Sequence, residues 1–384
     1  MLYQILTGTE CNLRCKYCYE HDKNWPRQTI DNIDHFLKAM FKRSAARNFY
    51  GTNYTPALDI IGGETLMYTD LADYALTLYT QKLKEYGLEA TQKCVMSTNG
   101  TLITKSKKIQ EFLKKWKHIV GLSVSIDGTK ESHDKYRIDA KGKGTWSRAI
   151  KGAQWVMKNI PEMRINARVT ITKENIGNLG DGLIGLYEKG FNNIGMRAAV
   201  GFDYWEDNEE TINYVKKCFD PVTSYLLAHP DKWFAPYHLY YKHAHNMAGK
   251  NQGCNCGDDR YVTLGVDGLI YHCMRMATCE TAKFPFAKID KETDEFIILP
   301  NNPTEMLVGC WRYCPKKCQT CQISSVCGLC VAAVVEYNPN DLSAYHKQYS
   351  TCGYNKGLAL AGKEYFDKVG DYMPPSWKYI ERVE

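Results

Sequence analysis

The 384-residue sequence predicts an α/β fold: a partial (β/α)6 TIM-like barrel followed by a small cysteine-rich auxiliary domain. Three observations carry this reading. Six short apolar runs alternate with amphipathic stretches through the first 235 residues, and parallel strands need crossover helices between them. Six units fall short of the eight that close a full barrel. From about Trp233 the helical periodicity fades while Cys, Gly and Asp rise, which divides the chain into 1–235, 236–356 and 357–384.

The predicted strands are 3–7, 58–61, 93–97, 120–126, 164–170 and 193–197. Helical faces follow from apolar spacing: Ile30, Ile33, Leu37, Met40 and Phe41; then Ile109, Phe112, Leu113 and Trp116; then Ile150, Ala153, Val156, Met157 and Ile160. The lysines around Ile109–Trp116 read as a solvated helix face and not as a patch for an anionic partner. In open parallel sheets ligands gather at the carboxyl ends of the strands. Residues 11–18, 62–64, 99–100, 125–128, Thr170 and 196–197 are therefore the candidate positions. Further on, Val266-Asp267-Gly268-Leu269 predicts a hairpin. Residues 357–384 read as a helix and an extended tail that packs back on the body.

Composition narrows the class. With 24% charged, 12% aromatic and 44% hydrophobic residues, the chain is not of the disordered type. No apolar run reaches the roughly 18 residues of a membrane span, and residues 1–7 lack the basic flank and long apolar core of a signal peptide. A cytoplasmic protein with no membrane partner is expected. Its 16 cysteines would then stay reduced, and dense reduced thiols point to metal. Three lie in the first 18 residues, only Cys94 and Cys218 fall between 19 and 253, and eleven follow from Cys254.

Cys11-Asn12-Leu13-Arg14-Cys15-Lys16-Tyr17-Cys18 has the spacing Cys-x3-Cys-x2-Cys, in the loop after the first strand. Three thiolates on one loop can hold three irons of a 4Fe–4S cube and leave the fourth open. The rival is a zinc site completed by His21. Zinc loops favour paired Cys-x2-Cys arms, so the x3 spacing, the aromatic Tyr17 and the strand–loop context favour the cluster.

These residues resemble the cluster motif of the radical S-adenosylmethionine superfamily, and its supporting signatures recur in order. Gly62-Gly63-Glu64 resembles the family's Gly-Gly-Glu element beside the methionine amino group, with glycines that let backbone approach the ligand. Ser97-Thr98-Asn99-Gly100-Thr101 and Ser123-Val124-Ser125-Ile126-Asp127-Gly128 resemble the ends of the third and fourth strands. His133-Asp134-Lys135-Tyr136-Arg137 resembles a segment whose arginine contacts the adenosylmethionine carboxylate. The resemblance covers the first 200 residues. It implies cofactor contacts at Tyr17, Gly62, Gly63, Glu64, Ser125, Asp127, Arg137 and Met196. Ser125 and Arg137 fit a ligand carboxylate, which calls for charge-assisted donors. Asp127 reads equally as a turn residue, and Asn99 as a left-handed turn residue before Gly100.

The later cysteines run Cys256-x11-Gly268-x4-Cys273, then Cys318-x2-Cys321-x5-Cys327-x2-Cys330, then Cys352. This resembles the SPASM extension, with one departure: the last spacing is x2 where the family has x3. The resemblance implies two auxiliary 4Fe–4S clusters, one on Cys254, Cys256, Cys273 and Cys330 and one on Cys318, Cys321, Cys327 and Cys352. Cys279, Cys310 and Cys314 are alternatives to a member of the first set. Cys94 and Cys218 read as core cysteines. A zinc ribbon is the rival here, though the x5 gap is short for two zinc knuckles.

The resemblance also implies chemistry. S-adenosylmethionine on the open iron is cleaved reductively, and the 5′-deoxyadenosyl radical takes hydrogen from an unactivated carbon. A flavodoxin or ferredoxin would supply the electron, and the auxiliary clusters would accept the one left on the substrate. A complete extension implies a peptide or protein substrate. The favoured reading is maturation of a ribosomally made precursor peptide by thioether or carbon–carbon crosslinking. Anaerobic sulfatase maturation to formylglycine ranks second: that branch commonly places an Asp after the second cysteine of the first element, where this chain has Met274. A small-molecule radical dehydrogenase and a non-catalytic electron carrier are the remaining readings. With ten residues before Cys11, leader recognition would fall to the body or to a separate leader-binding protein. Asp258, Asp259 and His272 are candidate proton acceptors. Three clusters would lower the formal +6 to about +1, so the charge gives no argument for nucleic acid.

Overall fold

The computed structural model describes residues 1–20, 23–24, 26–48, 55–238, 261–278, 284–300, 302–304, 307, 318, 321, 323, 327, 329–338, 341 and 344–370. His21, Cys254, Cys256, Asp258, Asp259, Cys279, Cys310, Cys314 and the tail 371–384 lie outside these residues.

Six strands pair in parallel in chain order: β1 (Leu2–Leu6), β2 (Ala57–Ile61), β3 (Cys94–Thr98), β4 (Val120–Ser125), β5 (Arg164–Ile171) and β6 (Asn193–Ala198). Each lies within one residue of its predicted bounds. The crossovers carry α1 (Ile30–Asn48), α2 (Thr69–Glu85), α3 (Lys107–Lys115), α4 (Lys130–Tyr136), α5 (Trp146–Asn159) and α6 (Leu179–Glu188). Local chemistry sets their ends. Ser106 caps α3 by accepting from the Ile109 amide at 3.3 Å, and Thr129 caps α4 through the Ser132 amide at 3.2 Å. In α3 the buried residues are Ile109, Phe112 and Leu113, and the lysines stay outside.

Period-2 alternation gives the strands two different faces. Ile5, Ile60, Met96, Leu122, Val124, Ala167, Val169, Ile194 and Met196 join one core with the helices. The opposite face carries Gln4, Asp59, Ser97, Ser123, Ser125, Asn166, Arg168, Thr170 and Arg197. A parallel sheet covered on both faces by apolar layers reads as continuous hydrophobic runs; here the inner face is polar, which suits a cavity.

The cysteine-rich part does not stand apart from this sheet. β7 (Trp233–Phe234) follows β6 at one edge, while β8 (Tyr261–Leu264) pairs in parallel with β1 at the other. The antiparallel strands β9 (Leu269–Tyr271), β10 (Ala287–Asp290) and β11 (Glu295–Ile298) extend it to eleven strands. An open barrel leaves the first strand's edge unpaired, and β8 satisfies it. The predicted hairpin turns at Gly268, whose φ of +78° a side chain would strain. Helices α7 (Glu209–Cys218) and α8 (Asp220–Ala228) receive the carboxy-terminal helix Cys352–Val369, which starts five residues before the predicted 357. Gly357 permits the approach, since a Cβ there would lie 2.6 Å from Val215 Cβ. Among the described residues no helix is long and apolar enough to cross a membrane.

Candidate functional site

The loop after β1 is held against the loop that follows α4. The Arg14 amide donates to Ile138 O at 2.7 Å, the Lys16 amide to Tyr136 O at 3.0 Å, and Leu13 forms a bridge with Asp139 over its own buried side chain. Cys11, Cys15 and Cys18 therefore sit at the carboxyl end of the sheet. Burial pushes the Cys11 thiol up to about 12, with the Glu64 carboxylate adding to it, and raises Cys15 as well. Such thiols become thiolates only when a cation compensates them. Donors already point at the sulfurs: the Leu13 amide to Cys11 Sγ at 3.4 Å, Asn99 Nδ2 to the same atom at 3.9 Å, and Lys23 Nζ to Cys18 Sγ at 3.1 Å. Hydrogen bonds to ligand sulfurs are the usual outer shell of an iron–sulfur site, so the residues fit a cluster. Among the described residues no three Cys, His, Asp or Glu groups close to the spacing of a single metal ion; the thiolates of a cube stand wider apart.

The Gly62–Glu64 turn lies directly beneath. Its glycines serve chain packing: a Cβ on Gly63 would strike Thr9 O and lie 2.5 Å from Glu10 O, and one on Gly62 would meet Thr7 Oγ1 at 2.9 Å. Within the protein, the close approach these glycines permit is to the loop after β1. Glu64 is buried and spends its carboxylate on Thr98 Oγ1 at 2.6 Å, the Asn99 amide at 2.7 Å and the Leu66 amide at 3.1 Å. The left-handed residue here is Gly100, at φ +74°, and not Asn99. Asn99 acts through its side chain, donating to Asn12 Oδ1 at 2.8 Å and accepting from the Thr101 amide at 3.0 Å.

Beside the cysteines Asp127 gathers four groups. Its Oδ2 accepts from Tyr17 OH and from Arg137 Nε at 2.9 Å, and its Oδ1 accepts from the Thr170 amide at 2.8 Å. Its own amide donates to His133 Nδ1 at 3.2 Å. His133 Nε2 then faces Thr145 Oγ1 at 3.0 Å, and that hydroxyl donates to Arg137 O at 2.7 Å. The chain of donors requires a neutral imidazole with its proton on Nε2, and burial agrees, lowering His133 to about 4. Arg137 also reaches Thr170 Oγ1 at 3.2 Å and stacks 5.3 Å from the Tyr17 ring centroid. Tyr17, Tyr136 and Phe202 pack ring against ring, with centroids 5.6 to 6.2 Å apart. This is a concave wall with one guanidinium, suited to an apolar-bodied ligand with an anionic end.

The other predicted positions separate. Ser125 closes β4 on the inner face, in register with Arg168. Met196 is on the helix side instead: alternation puts it with Ile194 and Ala198 in the core. His272 is buried, stacks on Phe286 at 4.0 Å and shares a hydrogen bond with Thr304 at 2.8 Å, the surroundings of a packing residue. Cys94 is buried in β3, and Cys218 ends α7 half-buried. Residue reasoning passed over His133 as a proton holder and Arg168 as an inner-face charge. The phase of the β5 alternation carried the second signal; nothing local carried the first.

Of the later cysteines, Cys318, Cys321 and Cys352 all act on the charge of Cys327, whose thiol burial pushes up to about 11. Asn355 Nδ2 donates to Cys327 Sγ at 3.5 Å. Cys273 and Cys330 belong to a second neighbourhood. Arg275 feels Cys330, pairs with Glu336 at 2.6 Å and stacks 5.0 Å from the Tyr19 ring, and Tyr19 in turn feels Cys18 and Cys273.

A three-cysteine loop at the carboxyl ends of an open parallel barrel, beside a polar sheet face, defines a class of protein built to hold a cluster with one open position. Residues 5–181 match the profile of the Radical SAM superfamily, and this part of the chain is a radical SAM domain. A serine-type anaerobic sulfatase-maturating enzyme of Bacteroides thetaiotaomicron is 31% identical over 154 residues, 40% of this chain and 35% of that enzyme's own length. The fold matches native anSMEcpe with bound AdoMet and Cp18Cys peptide, at TM-score 0.74 and 18% identity over 96% of this chain and 99% of that one. It also matches Streptococcus suis SuiB bound to precursor peptide SuiA, at TM-score 0.59 and 17% identity over 91% and 75%.

Proposed function

We propose that the chain is a radical S-adenosylmethionine maturase that oxidatively modifies a peptide. The observation that carries this reading is the Cys11–Cys15–Cys18 loop over a polar inner face, joined by Tyr19 and Arg275 to a second set of cysteines. Cys11, Cys15 and Cys18 would hold the cluster, and Arg137, Ser125 and the Gly62–Glu64 backbone would hold S-adenosylmethionine. Bound there, the pair supplies one-electron cleavage and abstraction of a hydrogen atom from substrate. The chain's own residues position and insulate. Asp127 fixes Arg137 and Tyr17, leaving guanidinium donors of Arg137 for the ligand carboxylate. His133 stays neutral and so adds no second positive charge there. The Tyr17, Tyr136 and Phe202 rings exclude water on one side.

We assign the later cysteines to two auxiliary clusters, with Cys318, Cys321, Cys327 and Cys352 on one and Cys273 and Cys330 on the other, completed by Cys254 and Cys256. Anaerobically reconstituted protein should carry about 12 irons per chain; about four irons with stoichiometric zinc would overturn the auxiliary assignment. Crosslinking of a precursor peptide is favoured over sulfatase maturation because Met274, which cannot take a proton, stands where the sulfatase branch places its base. Sulfatase maturation stays the second reading, supported by the relatives it resembles. Incubation with short peptides encoded in neighbouring reading frames separates the two. A product lighter by two hydrogens and inert to hydrazide is a crosslink, whereas a hydrazide-reactive product is formylglycine. No mass change with any of these peptides, or with a neighbouring sulfatase peptide, would overturn the peptide reading.

A further inference from the structure

Arg168 and Arg197 sit on adjacent central strands and project to the inner face. Parallel register sets Arg168 beside Gly195 and Arg197 beside Thr170, so Arg197 is one side-chain step nearer the carboxyl ends. Gly195 makes room for the first: a Cβ there would lie 2.8 Å from Arg168 Nη1. Both arginines are exposed on the polar face of the sheet. Among the described residues neither has a hydrogen bond or a carboxylate within ion-pair reach. Burial, and then the Arg197 charge, pull Arg168 below the ordinary arginine value. Arg137, by contrast, is buried and has its acid in Asp127.

Two buried groups that feel this charge or pack against it make a second unmet demand. Tyr354 OH and Trp205 Nε1 are buried, with 2% and 1% of each residue exposed, and among the described residues neither has a hydrogen-bond partner. Their rings pack at 5.3 Å, and the Tyr354 phenol feels the charge of both arginines. Two neighbouring like charges with no counterion repel each other, and the two orphaned buried polar atoms beside them are costly in the free protein. An anionic ligand reverses that cost, because guanidinium groups bind carboxylates through paired charge-assisted bonds.

We propose that Arg168 and Arg197 form a carboxylate-recognition pair that reads an acidic side chain of the peptide substrate. This rests on the maturase reading above and names a feature of its substrate. The other source of a carboxylate is S-adenosylmethionine itself, and the test separates the two. Reconstituted protein is dialysed against two acetylated and amidated tetrapeptides that differ only in one glutamate or glutamine. The native protein should bind the glutamate peptide about tenfold more tightly, and Arg168→Gln and Arg197→Gln should each erase the preference. Equal binding of both peptides to native protein, including no binding of either, overturns the proposal. A loss of about tenfold in S-adenosylmethionine affinity in either variant also overturns it, since the pair would then serve the cofactor. Should the glutamine variants misfold, Arg197→Lys and the salt dependence of glutamate-peptide binding to native protein serve instead. Retained preference in the lysine variant with loss at high salt supports the pair, and a salt-independent preference opposes it. If native protein prefers the glutamate peptide yet releases no 5′-deoxyadenosine, the pair stands and the radical reading fails.

Discussion

Asp127 joins four elements: its carboxylate takes the cysteine loop through Tyr17, the segment after α4 through Arg137 and β5 through Thr170, and its backbone amide takes α4 through His133. Removing its charge leaves Arg137 enclosed without a counterion. Asp127→Asn should therefore destabilise the fold by about 3–5 kcal/mol, measured by chemical denaturation; a change below about 1 kcal/mol would mean that Arg137 finds another partner. His133 gives a pH signature. Its folded pKa of about 4 is depressed from 6.5. The unfolded chain thus binds a proton first, and stability falls as pH drops from 6.5 toward 4 by about 3 kcal/mol. Asp59, raised from 3.8 to about 7 by burial, works in the opposite direction across that whole range. Comparison with His133→Gln isolates the histidine, because glutamine can accept from Asp127 and donate to Thr145 without titrating. The native advantage over that variant should shrink as pH falls; a constant difference would contradict the neutral assignment. These roles depend on contacts far apart in sequence. The cysteine spacing was legible from residues alone, whereas Asn99 bonding Asn12 and Cys11 was not.

Elements show the same division. All six barrel strands were legible because their apolar faces pack against amphipathic helices, and α3 displays its period plainly through Ile109, Phe112 and Leu113. What sequence position could not supply was phase. Met196 lies near the carboxyl end of β6, but its parity places it in the core while Arg197 faces the opposite way. The turn Gly62–Glu64 carries a prediction at this scale. Backbone oxygens of Thr9 and Glu10 occupy the space a Gly63 side chain would need, and backbone cannot swing aside as a side chain can. Gly63→Ala should displace the cysteine loop, with loss of iron from the amino-terminal site in elemental analysis. Gly357→Ala tests a different junction, where the carboxy-terminal helix meets α7 against Val215. It should cost about 1–3 kcal/mol by denaturation and leave iron content unchanged.

Across the whole molecule, the cysteine-rich part extends the barrel sheet through β8 on β1, and the carboxy-terminal helix returns to α7 and α8. Composition marks a second part from near residue 235, but it does not report which sheet edge that part will join. The edge left open by an incomplete barrel decides that. The amino-terminal cysteine loop then meets the neighbourhood of Cys273 and Cys330 through Tyr19 and Arg275. That arrangement matters only if the amino-terminal loop does radical chemistry, and one measurement addresses it most directly. With dithionite and S-adenosylmethionine under anaerobic conditions, native protein should release 5′-deoxyadenosine and Cys15→Ala should release none. Equal yields from the two proteins, or none from the native one, would contradict the assignment.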